Sequence, residues 1–208
     1  CLELEDKGSY SNALNNMGVV YSKQSNYTKA MECFEELKNI CLELGDRSGY
    51  LGAVGNIGVV YYCQGDYANA MENYKELKKI CLELADKKGY SVAVGNMATI
   101  HYYQGDYVKA MEGYGELREI YLELADKKGY SIAVGGMGNV YLAQGDYTKT
   151  LECYEEQKKI CSELGNKSGC SIVLGNIGIV YYYQGNYTKA MEGYEEQKDL
   201  CLELGDKS

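Results

Sequence analysis

The sequence contains no proline and no tryptophan among its 208 residues, and only one phenylalanine and one histidine. Proline breaks a helix because it has no amide hydrogen to donate, so nothing in this chain interrupts a helix in that way. Catalytic and metal sites commonly use histidine, and the single imidazole comes without any Cys-x-x-Cys pair. We therefore expect no metal site and no cofactor.

Long apolar runs and positive charge are also scarce. No run approaches the roughly 20 apolar residues of a membrane span. The chain also lacks a signal segment at its start, although it begins in mid-repeat, so its natural N terminus need not be at Cys1. The net charge is −9, whereas nucleic-acid binding requires a clustered basic face and anionic membranes attract basic segments. We expect neither a nucleic-acid partner nor a membrane partner.

Nine cysteines are present, but their placement argues against a disulfide framework. Five share one phase of a 40-residue period, and they are Cys1, Cys41, Cys81, Cys161 and Cys201. Equivalent positions of stacked helices lie roughly 8–10 Å apart or more, and a disulfide needs Cα atoms within about 7 Å. These five are interpreted as buried apolar residues in a reducing compartment, which predicts a cytoplasmic protein. A pair such as Cys33 with Cys63 stays open.

The dominant feature of the sequence is an internal repeat of 40 residues. Gly-Val-Val-Tyr at residues 18–21 recurs at 58–61, with looser copies at 98–101, 138–141 and 178–181. Gln-Gly-Asp-Tyr at residues 64–67 recurs in the same way. A fixed period of this length predicts a solenoid rather than one globular core, and an interaction surface is the usual function of a solenoid.

Each repeat contains two amphipathic helical patterns. In the second repeat, apolar spacing predicts helix A over about residues 48–63 and helix B over about 67–84. Gly65 between them is placed to adopt a left-handed conformation, and Asp66 to cap the next helix. Gly58 and Ala70 are expected to form a small-against-small contact. The predicted repeats are 8–47, 48–87, 88–127, 128–167 and 168–207, with residues 1–7 as the tail of a preceding helix B.

These residues resemble the tetratricopeptide repeat. The matching positions, in order, are Val54, Ile57-Gly58, Tyr61, Gly65-Asp66-Tyr67, Ala70 and Tyr74, and the match recurs in all five copies. The period of 40 exceeds the usual 34 and the consensus proline is missing, as in the longer-helix subclass of G-protein-signalling modulators and bacterial regulatory proteins. The resemblance implies an all-α solenoid of about five antiparallel helix pairs, forming a right-handed superhelix whose concave groove binds an extended peptide.

A second stripe of helix A, away from the core, is the predicted partner-binding site. Its residues are Asn16, Asn56, Val59, Tyr62, Asn96, Thr99, Tyr102, Tyr103, Asn139, Asn176, Ile179, Tyr182 and Tyr183. An asparagine can both donate to and accept from a peptide backbone, and tyrosines are frequent in binding hot spots. The alternative is that the asparagines cap or bridge neighbouring helices and the tyrosines pack against the groove wall.

No catalytic constellation is visible. His101 occupies the phase of Tyr21, Tyr61, Tyr141 and Tyr181, so it is interpreted as a substituted core aromatic, and we expect no enzyme. Neither end carries a polar capping helix. Two alternatives to a peptide-binding scaffold therefore stay open: a protein that stacks end to end into filaments, which could then be extracellular, and a regulatory segment of a larger enzyme.

Overall fold

A computed structural model describes the backbone of residues 4–205, and side-chain burial from residue 7 onward. The described residues form ten α-helices and no strand. They are α1 (Leu4–Lys23), α2 (Tyr27–Leu44), α3 (Arg47–Cys63), α4 (Tyr67–Glu83), α5 (Lys87–Tyr103), α6 (Tyr107–Glu123), α7 (Lys127–Ala143), α8 (Tyr147–Glu163), α9 (Lys167–Tyr183) and α10 (Tyr187–Gly205). The chain divides into two compact units, Cys1–Ile100 (unit 1) and His101–Ser208 (unit 2). The all-α helix-turn-helix class is confirmed.

The turns between helices follow the predicted chemistry. Gly65 has a φ of +77°, and the Asp66 carboxylate accepts a hydrogen bond from the Asn69 amide at 3.1 Å. The junctions with Ala85 and Ala125 have the same geometry, with φ values of +53° and +52°, although alanine has a Cβ that disfavours this region. Because each turn spans only a few residues, the helices on either side of it run antiparallel.

The predicted tail of a preceding helix B over residues 1–7 stays a prediction. Residues 1–3 lie outside the described part of the chain, and residues 4–7 belong to α1 without interruption. At the other junctions a residue with positive φ ends the helix, as at Gly45.

Each unit has a core in which an aromatic ring packs on a glycine. In unit 1, Tyr74 of α4 is fully buried, and a Cβ built on Gly58 of α3 would lie 2.7 Å from its ring. In unit 2, Gly138 faces Tyr154 at the same separation. The predicted contact of Gly58 with Ala70 stays a prediction, and the glycine makes room for the Tyr74 ring four residues further along α4.

The predicted burial is confirmed for three of the five cysteines that share one phase. Cys41, Cys81 and Cys161 are buried and free, and burial raises the pKa of Cys81 to about 11. Cys201 is exposed on α10, the last described helix, and Cys1 lies outside the described residues. Cys33 and Cys63 are both free thiols, so the pair that the sequence left open is not formed.

Tyrosine–glutamate hydrogen bonds join the two helices of a pair, and the sequence analysis did not predict them. The Tyr50 hydroxyl of α3 donates to Oε1 of Glu76 in α4 at 2.7 Å. Nζ of Lys38 in α2 lies 3.6 Å from the other carboxylate oxygen and 5.4 Å from the centre of the Tyr50 ring. Equivalent tyrosine–glutamate bonds join Tyr10 to Glu36 and Tyr130 to Glu156. The tyrosine therefore connects one helix pair to the helix before it.

Candidate functional site

The odd-numbered helices each present one face away from the core, which we call the A-face. Its positions follow the spacing i, i+4, i+7 that aligns side chains along a helix. In unit 1 the A-face comprises Gly52, Asn56 and Val59 of α3 and Val92, Asn96 and Thr99 of α5. In unit 2 it comprises Ile132 and Asn139 of α7 and Ile172, Asn176, Ile179 and Tyr183 of α9, whereas Gly136, at the phase of Asn56, is buried.

Three of the predicted peptide-binding asparagines already have partners within the protein. Nδ2 of Asn56 donates to Oδ1 of Asn15 on α1 at 3.0 Å. Nδ2 of Asn96 donates to the Val92 carbonyl one turn earlier at 2.9 Å. Asn139 accepts from the Tyr154 hydroxyl at 2.6 Å. These contacts support the structural role for the three side chains, while each keeps further donors or acceptors. Asn16 is exposed, and Asn176 is half-buried.

The bond between Asn139 and Tyr154 has no counterpart in unit 1. The equivalent residues there are Val59 and Tyr74, and Tyr74 Oη is a buried oxygen without a hydrogen-bond partner. Burial is the main cause that raises the pKa of both phenols, to about 12 for Tyr154 and further for Tyr74, which also has Cys63 and Tyr62 nearby. An apolar A-face residue at position 59 thus leaves a polar group unsatisfied directly below the surface.

The predicted tyrosines gather at the ends of the odd-numbered helices. In unit 1, the rings of Tyr62 and Tyr67 have centroids 5.8 Å apart. In unit 2, Tyr102 packs against Tyr103 at 5.4 Å and Tyr107 at 6.0 Å, and burial raises the pKa of Tyr102.

A second tyrosine group in unit 2 surrounds the end of α9. Tyr182 contacts Tyr183 and Tyr187, and Tyr183 stacks with Tyr147 at 6.5 Å. Because Tyr182, Tyr183 and Tyr187 are all exposed, this group offers aromatic surface to a partner.

A cleft of about 310 Å³ lies on the A-face of unit 1, between α3 and α5. Its lining residues are Ser48, Leu51, Gly52, Gly55, Asn56, Val59, Leu77, Asp86, Gly89 and Val92. It brings together two of the predicted site residues, Asn56 and Val59. The sequence analysis missed Gly52 and Val92. The signal for them was present, because the position of Gly52 carries Val92, Ile132 and Ile172 in the next three repeats.

In unit 2 the same phase carries exposed aliphatic side chains that the sequence analysis also missed. Ile132 of α7 is 57% exposed, and Ile172 of α9 is 61% exposed. Ile172 aligns with Asn176, Ile179 and Tyr183 on one face of α9. The exposed isoleucines were detectable as apolar residues recurring outside the core stripe.

The A-face helices carry little charge along their length. The sequences of α3, α5, α7 and α9 contain no aspartate or glutamate, and their lysines and arginine are confined to the first turn. His101 of α5 is half-buried, as are Tyr61, Tyr141 and Tyr181 at its phase. The A-face can therefore offer amide hydrogen bonds, aromatic rings and aliphatic contacts, and it offers no charged middle section.

Within the described residues, no group of three or more histidine, cysteine, aspartate or glutamate side chains is placed to hold a metal ion. Among the described helices, none combines the length and the apolarity that crossing a membrane requires.

Comparison with known proteins gives a match to one family. The family model described as the tetratricopeptide repeat matches residues 9–82, 50–123 and 130–196. No curated protein matches the sequence.

Solved structures with the same fold are distant in sequence. BtubC (BKLC) from P. vanneervenii is 19% identical with a TM-score of 0.83, over 96% of this chain and 83% of that protein. The STAND ATPase with a tetratricopeptide repeat sensor from Pyrococcus horikoshii is 19% identical with a TM-score of 0.81, over 95% of this chain and 30% of that one. The Rap conjugation gene regulator of plasmid pLS20, in complex with the Phr* peptide, is 16% identical with a TM-score of 0.76, over 91% of this chain and 53% of that one.

Proposed function

Because this chain belongs to the tetratricopeptide repeat family, we propose that it is a non-catalytic scaffold for protein–protein interaction. Its A-face binds an extended peptide or a partner segment. The chemistry of the A-face supports this role.

The observation that carries the proposal is the row of exposed apolar side chains on α9. Ile172, Ile179 and Tyr183 are 61%, 38% and 59% exposed, and Asn176 lies between them on the same helix face. Single exposed apolar residues are common on protein surfaces, whereas apolar residues aligned along one face mark an interaction site. The asparagine adds a side chain that can donate to and accept from a peptide backbone.

The lack of carboxylates on the A-face helices supports the same role. The centres of protein interfaces are depleted in charged residues and enriched in tyrosine. The A-face helices lack carboxylates and carry tyrosine groups at their ends, whereas α4, α6 and α8 expose Glu72, Glu112 and Glu152. A partner that buries apolar side chains is therefore expected on the odd-numbered helices.

A structural neighbour also supports peptide binding. The Rap conjugation gene regulator was solved in complex with the Phr* peptide, and it shares this fold. Filament assembly and a regulatory role within a larger enzyme stay predictions from the sequence.

A peptide selection tests the proposal. A displayed library of random 12-residue peptides would be selected against the protein, and a selected peptide would be titrated by fluorescence anisotropy. Changing Asn56, Asn96 and Asn176 to alanine together should weaken binding at least tenfold, because three A-face amides are removed.

The matched control changes Glu72, Glu112 and Glu152 to alanine on the even-numbered helices, and it should bind as the parent does. Circular dichroism checks that both variants stay helical. Failure to select any peptide would refute the proposed function, and equal affinity of the asparagine variant and the parent would remove these three asparagines from the binding surface.

A further inference from the structure

The α3–α5 cleft of unit 1 exists because one A-face position lacks a side chain. Gly52 stands where later repeats have Val92, Ile132 and Ile172. A Cβ built on Gly52 meets no atom within 4 Å, and one on the neighbouring Gly55 meets only Leu77, at 3.6 Å. The two glycines therefore open the surface of α3, and the resulting volume of about 310 Å³ lies at the lower end of ligand sites.

The walls of the cleft suit a large apolar side chain. Leu51 and Val59 come from α3, Leu77 from α4 and Val92 from α5. Val59 is 38% exposed and Val92 is 49% exposed, so apolar surface remains in water that an inserted side chain would cover. A cleft of this size accepts one anchor residue and its flanking backbone.

A polar group stands beside this apolar wall. Asn56 is oriented by its Nδ2, which donates to Asn15 at 3.0 Å. Among the described residues, none donates to the Asn56 Oδ1, so this oxygen is an acceptor for a backbone N–H of a bound segment. The amide thus fixes the backbone of a segment whose side chain enters the cleft.

One carboxylate sets the charge of the site. Of the described residues that line the cleft, Asp86 is the one that carries a charge. Its Oδ1 accepts from the amides of Lys88 and Gly89 at 3.1 Å, which caps α5, while its Oδ2 has the Cys81 thiol 4.0 Å away. A cation placed next to the anchor residue would complement this carboxylate, and the net charge of −9 also attracts a basic segment.

We propose that the α3–α5 cleft binds an extended peptide through a leucine, isoleucine or phenylalanine anchor that has a lysine or arginine next to it. The anchor packs against Leu51, Val59, Leu77 and Val92, and the cation faces Asp86. This inference rests on the proposed function, and it names the sequence class that the A-face of unit 1 selects.

The test uses the full 208-residue chain and a displayed library of random 12-residue peptides. Selected sequences should share an apolar anchor beside a basic residue. A synthetic copy of one of them should bind at least tenfold more weakly to Gly52→Ile, because isoleucine fills the cleft with a side chain that α7 and α9 already carry at this position. Gly115→Ile on α6 makes the same exchange in open space and should leave the affinity unchanged.

The charge has a separate test in Asp86→Asn. Asn166 caps α9 through the same hydrogen bond, from the Gly169 amide at 3.0 Å, so the variant keeps the cap and loses the charge. Asp86→Asn should bind the basic peptide and a copy with glutamine in place of the basic residue with about equal affinity. The parent protein should bind the basic peptide severalfold more tightly than the glutamine copy.

The outcomes separate this inference from the proposed function. If peptides are selected and Gly52→Ile binds them as the parent does, the peptide binds elsewhere, and the anchor cleft is wrong while the scaffold function stands. Selected peptides without the apolar and basic pair would likewise overturn the inference. If no peptide is selected, both fail.

Discussion

Removing the hydroxyl of Tyr74 and removing that of Tyr154 should change stability in opposite directions. The two tyrosines occupy equivalent positions, and both are buried. Tyr154 donates to Asn139 at 2.6 Å, while Tyr74 Oη has no partner. The comparison therefore isolates the hydrogen bond, because each ring lies at the same position of its helix and packs on a glycine, Gly58 or Gly138.

The magnitudes follow from the cost of an unsatisfied group. A buried polar group without a partner costs about 1–3 kcal/mol, and a satisfied hydrogen bond contributes about 0.5–1.5 kcal/mol. Tyr74→Phe should therefore stabilise the protein by about 1 kcal/mol. The first repeat already has this combination, because Phe34 and Val19 stand at the positions of Tyr74 and Val59. Tyr154→Phe should destabilise the protein by about 1 kcal/mol, because the hydrogen bond to Asn139 is lost. The loss stays this small because Asn139 is exposed and can hydrogen-bond to water instead.

Thermal and urea unfolding followed by circular dichroism would measure both variants. For a chain of this size, 1 kcal/mol shifts Tm by about 2–4 °C. Opposite shifts of the two variants are expected. Equal destabilisation by both substitutions would refute the reasoning, because it would show that Tyr74 has a hydrogen-bond partner, or that the lost packing outweighs the hydroxyl.

Three further predictions concern the fold. Gly58→Ala should destabilise the protein by about 1–3 kcal/mol in urea unfolding, because its Cβ would lie 2.7 Å from the Tyr74 ring and overpacking has this cost; Gly52→Ala, in open space, is the control and should not destabilise. Ala85→Gly should stabilise by about 1 kcal/mol, since its φ of +53° costs an alanine about 1–2 kcal/mol, and an unchanged or lower midpoint would contradict this. The free energy of unfolding should fall as pH rises from about 9 towards 12, because the folded state raises the pKa of Cys81 to about 11 and of Tyr50 to about 12. The folded state favours the protonated forms, so the stability they give is complete below the unfolded pKa values and is lost as pH rises through the folded ones. Urea midpoints that stay constant up to pH 11 would contradict this prediction.

The helix boundaries could be predicted from the sequence because local chemistry sets them. The predicted spans of 48–63 and 67–84 lie within one residue of α3 (Arg47–Cys63) and α4 (Tyr67–Glu83). Gly65 and Asp66 act on their own backbone neighbours, so their effect can be read from adjacent residues.

The side-chain partners of the candidate site could not be predicted in this way. The period places Asn56, Asn96 and Asn139 on helix A, but their partners differ: another helix, the same helix and the paired helix. Those partners depend on residues that vary between repeats, such as Asn15, which aligns with Gly55, and Asn139 itself, which aligns with Val59. The cleft was missed for a related reason, because it arises from the side chain that Gly52 lacks.

Val59→Asn is expected to stabilise the fold while it weakens binding. Asparagine at this position reproduces Asn139 of unit 2 and supplies an acceptor to Tyr74, so a double-mutant cycle with Tyr74→Phe should give a coupling of about 1 kcal/mol. Val59 also lines the α3–α5 cleft, and the exchange replaces apolar wall by an amide. The affinity for a peptide with an apolar anchor should therefore fall while Tm rises. Matched rises in Tm and affinity would show that position 59 acts on the peptide only through the rigidity of the fold, and would remove Val59 from the binding surface.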